Sequence, residues 1–297
     1  MKTSNKIILI TLVLIVVAII VTGFLFKKIP PTSEVLKYTY TFFQEAEKKP
    51  IEGVGELETR HIKNSAFQAV AIKGNFKISL QQGESDTVSL AADKNLWPYL
   101  NFYISNHKLN IKEKSGYILN PQKPMQLVIH AKSLKKADIS GRIKLDIDKL
   151  DSYRFRLNLD GKTNTSLSGG QFKRLHIHAT GKTHLSTHQL QANAFTLNTE
   201  GDANVMLEGF TNTFILSSDG NSNINTKNLT TKELKISTSG ETEAIVYANM
   251  LLKITAMGNT HLTYYGDPKK IDKTTYGLAT IQKGETVLRI SKHNPEY

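Results

Sequence analysis

Two groups of side chains in the second half of this chain have types and spacings that could do chemistry. The first contains four of the nine histidines, His176, His178, His184 and His188. Because residues two apart on a strand face the same side, His176 and His178 form a pair that could bind zinc. A glycine separates His184 from this pair, and no carboxylate is placed to complete the ligand set. We therefore interpret the four histidines as a solvated face and predict no metal site.

The second group is a set of five carboxylates, Glu200, Asp202, Asp219, Glu241 and Glu243. Glu200 and Asp219 each precede a glycine, and in neighbouring strands they would lie about 5 Å apart. This separation suits two carboxylates that cleave a glycosidic bond, and it equally suits a weak calcium site. Catalytic carboxylates need a cleft and a perturbed environment, which a convex turn does not offer. We predict no catalytic residue and no cofactor.

The element that positions these side chains is a repeat marked by glycine. Seven glycines recur at intervals of 20, 20, 20, 19, 20 and 18 residues: Gly141, Gly161, Gly181, Gly201, Gly220, Gly240 and Gly258. Apolar and polar residues alternate on both sides of each glycine, which indicates a half-buried strand before it and another after it. Glycine suits the bend between the strands because it reaches positive φ without steric cost. A further apolar position marks another part of the repeat: Leu150, Leu190, Phe210 and Leu229.

The length of the repeat limits the fold. About 20 residues are too few for a strand, a useful helix and two loops, but they match a small coil of two or three strands. Similar residues recur in register, which favours parallel stacking of successive coils at about 4.8 Å. An antiparallel meander would also alternate, but it would have no reason to keep the glycine spacing constant. We predict an all-β fold: a right-handed parallel β-solenoid with coils of about 20 residues, preceded by one N-terminal transmembrane helix.

The N-terminus carries the predicted membrane helix. Residues 7–26 form an uncharged apolar run, which as a helix of about 30 Å is long enough to cross a bilayer. A cleaved secretory signal peptide is the alternative, but the run is long for one and no small-x-small cleavage site ends it. We predict an uncleaved signal anchor in the bacterial cytoplasmic membrane, with the C-terminal domain outside the cytoplasm. Lysines on both sides of the run leave the orientation open.

The predicted domains follow from these patterns. Residues 1–29 form the anchor and its flanks, and residues 30–60 form a juxtamembrane linker with a short helix that begins near Thr32 and includes Ala46. The β-solenoid covers residues 61–284, with irregular early coils at 61–130 and regular repeats at 131–266, and residues 285–297 form a tail. Whether residues 61–130 are early coils or a separate β-subdomain is left open. Trp97 is interpreted as a cap over the open end.

Composition excludes several functions. The formal net charge is +12, but the lysines and arginines are spread along the chain rather than grouped with aromatic residues. We therefore predict no nucleic-acid partner. The chain has no cysteine, which excludes disulfides, thiolate metal sites and a lipoprotein anchor. Phosphate-binding loops, nucleophile elbows and metalloprotease helices are also absent from the sequence.

Part of the chain resembles a known family. The segment from Phe67 to Gly83, followed by Val88-Ser-Leu90 and Leu109-Asn-Ile111, is similar to the opening of the head GIN domain family of bacterial envelope proteins, the auto-transporter adhesins. Later glycine corners such as Ser140-Gly141, and Tyr265-Gly266-Asp267-Pro268, resemble that family as well. The resemblance covers roughly residues 60–284, although the family's doubled Gly-Ser-Gly corners are reduced here to single glycines. It implies an exported β-helical domain.

These observations lead to one preferred function and two alternatives. We predict a non-catalytic, membrane-anchored cell-envelope protein whose repetitive polar face binds a protein or a glycan, because such faces suit extended weak contacts better than chemistry. One alternative is a β-helical carbohydrate-active enzyme that uses the corner carboxylates, of which Glu200 is the residue to test. The other is a structural scaffold of an envelope complex.

Overall fold

A computed structural model of the chain describes residues 48–63 and 66–285. Contacts divide the chain into two units, Met1–Lys49 and Pro50–Tyr297, and almost all described residues belong to the second. The apolar run at 7–26 and the short helix predicted from Thr32 through Ala46 fall outside the described residues. Within the part that is described, no helix is both long and apolar enough to cross a bilayer. This finding contradicts the predicted single-pass location in the cytoplasmic membrane.

The described chain consists of strands and one short 3₁₀ helix, Lys94–Tyr99. The strands are β1 (Lys49–Glu52), β2 (Leu57–Lys63), β3 (Ala69–Gln82), β4 (Thr87–Asp93), β5 (Leu100–Ser105), β6 (Lys108–Glu113), β7 (Tyr117–Asn120), β8 (Met125–Ala131), β9 (Lys136–Asp148), β10 (Ser152–Ser168), β11 (Gln171–Tyr247), β12 (Leu251–Ala256), β13 (Asn259–Tyr265), β14 (Lys270–Thr275) and β15 (Thr280–Lys283). Strands β1 and β7 form a two-stranded sheet, and the other thirteen form one large sheet.

The large sheet is mixed, and this corrects the predicted fold. The pairs β2–β4, β4–β8 and β5–β6 are antiparallel, so the described residues do not form the closed, right-handed parallel β-solenoid that the repeat predicted. The physical reason lies in the turns of the early segment, which has no 20-residue glycine period. Asn106 and His107 both adopt positive φ, at 50° and 55°, and two such residues make the tight turn that joins antiparallel strands.

Parallel pairing in register does occur where the glycines recur. Gly161 in β10 pairs with Gly141 in β9 on one side and with Gly181 in β11 on the other. Strand β3 pairs in parallel on both edges, with β9 on one side and with β6 and β8 on the other. The antiparallel pairs begin beyond it, where β8 pairs with β4 and β6 pairs with β5. Strands at 61–130 therefore share a sheet with the repeats, and equivalent residues of neighbouring repeats lie side by side. We call each such row of equivalent residues a column.

The core follows from the alternation of apolar and polar residues. Buried apolar side chains form one cluster that extends from Phe67 to Tyr264. Phe195 and Phe214, at equivalent positions of two repeats, stack with ring centroids 4.9 Å apart. Two residues after the glycine, the column holds small side chains from Thr163 onward, and the buried hydroxyls of Thr163 and Thr183 hydrogen bond to each other at 3.3 Å. Polar side chains at alternate positions face outward, and these outward columns make the surface on which a site can form.

Candidate functional site

The repeats contain a second bend, which the sequence marks only weakly. In one repeat Lys149 has a φ of 49°, and at the equivalent place in later repeats Gly169 and Gln189 have φ values of 74° and 53°. Leu150 and Leu190 follow the bend and are buried. Directly after them the chain exposes its next residues to solvent. This bend therefore positions the outward columns that line two adjoining surface depressions.

These columns form a shallow groove, which we call the corner groove. It has two adjoining parts with volumes of about 570 and 600 Å³. Eight outward or half-exposed residues define it: Asp151, Tyr153, Gln171, Lys173, Gln191, Asn193, Phe210 and Asn212. Asp151, Gln171 and Gln191 form one column, and Tyr153, Lys173 and Asn193 form the next, because Ser152 pairs with Phe172 and Arg154 pairs with Arg174.

Two aromatic rings border the corner groove. Tyr153 has 71% of its surface exposed, and Phe210 has 38% exposed. The Lys232 ammonium lies 5.7 Å from the centroid of the Phe210 ring, which is within the range of a cation–π contact. Exposed aromatic side chains combine a rigid apolar face with low conformational entropy, and they are common where proteins bind partners.

Amide side chains fill the space between the rings. The Asn212 amide donates a hydrogen bond of 2.7 Å to Asn193 Oδ1, and the backbone N–H of Gln171 donates one of 2.7 Å to Asp151 Oδ1. Within residues 48–63 and 66–285, the side chains of Gln171 and Gln191 have no hydrogen-bond partner. Each amide offers both a donor and an acceptor. The corner groove can therefore form hydrogen bonds with the hydroxyl groups of a ligand, and these bonds need no charged side chain.

Phe210 corrects one detail of the sequence analysis, which placed it in the apolar column with Leu190. A Cβ added at Gly209 would lie 2.1 Å from the Leu190 carbonyl oxygen, so Gly209 occupies that column and Phe210 is the residue after it. The repeat here is one residue shorter, and the sequence does not show where the missing residue belongs. Phe210 therefore lies in the same column as Gln191 and faces outward.

The four histidines are not brought together. His176 is half-buried on β11 beside Arg156, whereas His184 lines a different groove after the Gly181 bend. His188 Nδ1 lies 3.1 Å from Glu208 Oε2. Among the described residues, no group of three or more His, Asp or Glu side chains is placed to hold a metal ion. The pKa of His176 is lowered by burial, with smaller contributions from the charges of Arg156 and His178.

The five carboxylates are separated into two places. Asp202, Glu241 and Glu243 line a groove of about 360 Å³ together with His184, Asn204 and Asn223. We call this the acidic groove. Glu200 and Asp219 precede their glycines and are exposed outside it. No Phe, Tyr or Trp side chain lines the acidic groove, which makes it a weaker candidate than the corner groove for binding an organic ligand.

Comparison with known proteins places this chain in a family. Residues 66–268 match the family model described as "Putative auto-transporter adhesin, head GIN domain". No curated protein matches the chain.

Several solved structures share the fold. A "putative lipid binding protein" from Parabacteroides distasonis is 22% identical, with a TM-score of 0.77, over 80% of this chain and 100% of that one. A "putative adhesin" from Parabacteroides merdae is 19% identical, with a TM-score of 0.74 and the same coverage. A "putative adhesin" from Bacteroides fragilis is 17% identical, with a TM-score of 0.60, over 79% of this chain and 100% of that one. At these identities the likeness extends to the fold alone.

Proposed function

Because this chain belongs to the head GIN domain family of auto-transporter adhesins, we propose that it is a non-catalytic, adhesin-like binding protein. Its ligand is a glycan, and the corner groove is the contact. The observation that carries the proposal is the combination of two exposed aromatic rings, Tyr153 and Phe210, with unpaired amide side chains in one groove. The family description supports adhesion, and the chemistry of the groove supports a sugar ligand.

The rings supply the apolar part of such a contact. One face of a sugar ring presents C–H groups, and these pack on an aromatic face while the hydroxyls remain at the edge. Tyr153 and Phe210 border the same depression but lie in different repeats, so an extended chain can contact both. The amides of Gln171, Gln191 and Asn193 lie between them and can donate to and accept from hydroxyls.

The spacing of the columns supports an extended ligand over a compact one. Neighbouring strands lie about 4.8 Å apart, which is comparable to the advance of one sugar along an extended polysaccharide. Each repeat therefore offers one set of polar side chains to one sugar unit. A groove this shallow gives weak contacts singly, and affinity grows with the number of sugar units bound.

A glycan-binding screen with the full chain tests the proposal, using immobilised neutral and acidic polysaccharides. Tyr153→Ser removes an exposed ring and should weaken binding about fivefold to tenfold, the usual effect of removing an aromatic anchor. Tyr276→Ser is the matched control, because Tyr276 is 58% exposed but does not line the corner groove. The control should bind as the unaltered chain does.

Two results would contradict the proposal. One is the absence of binding to every polysaccharide in the screen. The other is an equal loss of affinity in Tyr153→Ser and Tyr276→Ser, because the corner groove would then contribute no more to binding than a site outside it. Thermal unfolding of both variants should match that of the unaltered chain, since both side chains are largely exposed.

A further inference from the structure

Beside the corner groove lies a group of positive side chains without acidic partners. We call it the arginine patch and define it as Arg154, Arg156 and Arg174, with His176 paired beside Arg156. Arg154 directly follows Tyr153 and Arg174 directly follows Lys173, and both Tyr153 and Lys173 line the corner groove. All three arginines are exposed. The arginine patch is therefore a continuation of the corner groove onto the adjoining face of the sheet.

The register makes the arginine patch unfavourable by itself. Arg154 pairs directly with Arg174, and Arg156 lies between Lys136 and His176 in its column. Like charges directly opposite each other on neighbouring strands are destabilising. None of the three arginines forms a salt bridge or side-chain hydrogen bond with any described residue, whereas Lys136 is paired with Asp138 at 2.8 Å. Unrelieved repulsion of this kind is expected at functional sites rather than at structural ones.

We propose that the arginine patch binds the carboxylates of an acidic polysaccharide whose sugar rings occupy the corner groove. Arginine suits this task because its planar guanidinium donates two parallel hydrogen bonds to a carboxylate. The inference rests on the proposed glycan-binding function and adds the ligand class, a uronic acid polymer. The lowered pKa of His176, which its burial and the charge of Arg156 cause, is consistent with a positive local potential.

A polysaccharide fits these observations better than a lipid surface does. The polar side chains next to the arginines, Gln171, Gln191 and Asn193, suit hydroxyl groups, and the two rings belong to a groove rather than to a protruding apolar patch. Peripheral membrane binding by contrast uses an apolar face that enters the lipid together with a basic rim. Anionic lipid is therefore an outcome that the experiment must separate from the polysaccharide.

Calorimetric titration of the full chain with polygalacturonate and with its methyl ester tests the inference. The ester keeps the sugar chain and removes the charge. Polygalacturonate should bind about tenfold more tightly than the ester, and the double variant Arg154→Gln, Arg174→Gln should lose about tenfold in affinity for the acid form only. The double variant Arg154→Lys, Arg174→Lys keeps the positive charges but lacks the planar guanidinium groups, and it should recover only part of the lost affinity.

Lys162 and Lys182 provide the matched control. They pair with each other in the same two repeats as Arg154 and Arg174, but they follow the glycine bend and lie outside the corner groove. The double variant Lys162→Gln, Lys182→Gln removes the same charge and should change affinity for polygalacturonate by less than about twofold, because exposed charges at a distance are largely screened.

Four results would overturn the inference. Equal binding of the acid and the ester would show that the protein does not recognise the carboxylate charge. An equal loss of affinity in the lysine control would show that the effect depends only on net charge. Binding to phosphatidylglycerol vesicles with the same arginine dependence, but not to polygalacturonate, would identify a lipid ligand. If Tyr153→Ser weakens binding of both polymers while the arginine variant weakens neither, the glycan function stands and only the inference fails.

Discussion

His176 shows how the repeat changes the behaviour of a single side chain. Burial lowers its pKa from the ordinary value of 6.5, and Arg156 and His178 lower it further through their charges. The folded chain therefore binds fewer protons at this site than the unfolded chain does. The stability that depends on neutral His176 is present above pH 6.5 and is lost as the pH falls through the lower folded pKa.

Titration of His176 by NMR measures this directly. We expect a pKa below 6.5 in the unaltered chain, and Arg156→Gln should raise it only partly, because burial is the largest cause. Arg142→Gln is the control, since Arg142 lies after the Gly141 bend and does not contribute to the shift. A pKa at or above 6.5 in the unaltered chain would contradict the burial of His176 and its position beside Arg156 and His178.

Single residues also show which parts of the candidate site the sequence does not predict. The sequence indicates histidines and carboxylates as candidate site residues, and it indicates none of the eight residues of the corner groove as such. The usable signals were the pair Gly169-Gly170, which marks the second bend, and the exposed pairs Tyr153-Arg154 and Lys173-Arg174, which interrupt the alternation. Phe210 gave a false signal, because a repeat that is one residue shorter moved it into the apolar column.

At the scale of strands, the glycine column sets the close approach of neighbouring repeats. A Cβ added at Gly181 would lie 2.7 Å from the Gly161 carbonyl oxygen, and the φ of Gly181 is +86°. Gly116 also has a φ of +86°, but no atom lies within 4 Å of its added Cβ. The two positions therefore have the same φ, and they differ in the contact that an added Cβ would make with a neighbouring strand.

Alanine substitution at each of these two glycines separates the cost of positive φ from the cost of the contact with the neighbouring strand. Gly116→Ala should lower the free energy of unfolding by about 1 kcal/mol, the usual cost of an L-residue at positive φ. Gly181→Ala should cost about 2 to 4 kcal/mol, because the neighbouring backbone must also move. Urea denaturation of both variants measures the difference. Equal losses would contradict the close approach of the glycine bends.

The strands also show which parts of the fold the sequence could predict. The alternation around Gly161 and Gly181 predicted buried and exposed faces, and the constant spacing predicted which residues are neighbours, because both depend on local pattern. The antiparallel pairs of β2, β4, β5 and β8 could not be predicted in the same way. They depend on turns such as Asn106-His107, whose positive φ values are not marked by glycine, and on pairing between distant segments.

On the scale of the whole molecule, charge is distributed unevenly along the repeats. Residues 131–190 contain twelve lysines and arginines against five acidic residues, whereas residues 191–247 contain three lysines against seven acidic residues. The corner groove lies across the boundary between these two segments, and the arginine patch lies in the basic one. A polyanion is therefore attracted to one part of the sheet and repelled from the other.

Ionic strength should reveal this asymmetry. Raising the salt concentration from 0.05 to about 0.5 M shortens the screening length to a few ångströms, so affinity for polygalacturonate should fall severalfold while affinity for the methyl ester stays nearly constant. Titrations of the full chain at several salt concentrations measure both slopes. Equal slopes for the two polymers would contradict a contribution from the uneven charge.

Hydrogen–deuterium exchange of the full chain, with and without a bound polysaccharide, tests the central claim most directly. We predict that the ligand protects the backbone amides of the corner groove, at residues 151–155, 171–175, 191–195 and 210–213. The amides of the acidic groove, at residues 202–204 and 241–243, should be unaffected. Protection of the acidic groove instead, or of neither groove while the ligand is bound, would contradict the claim that the corner groove binds the glycan.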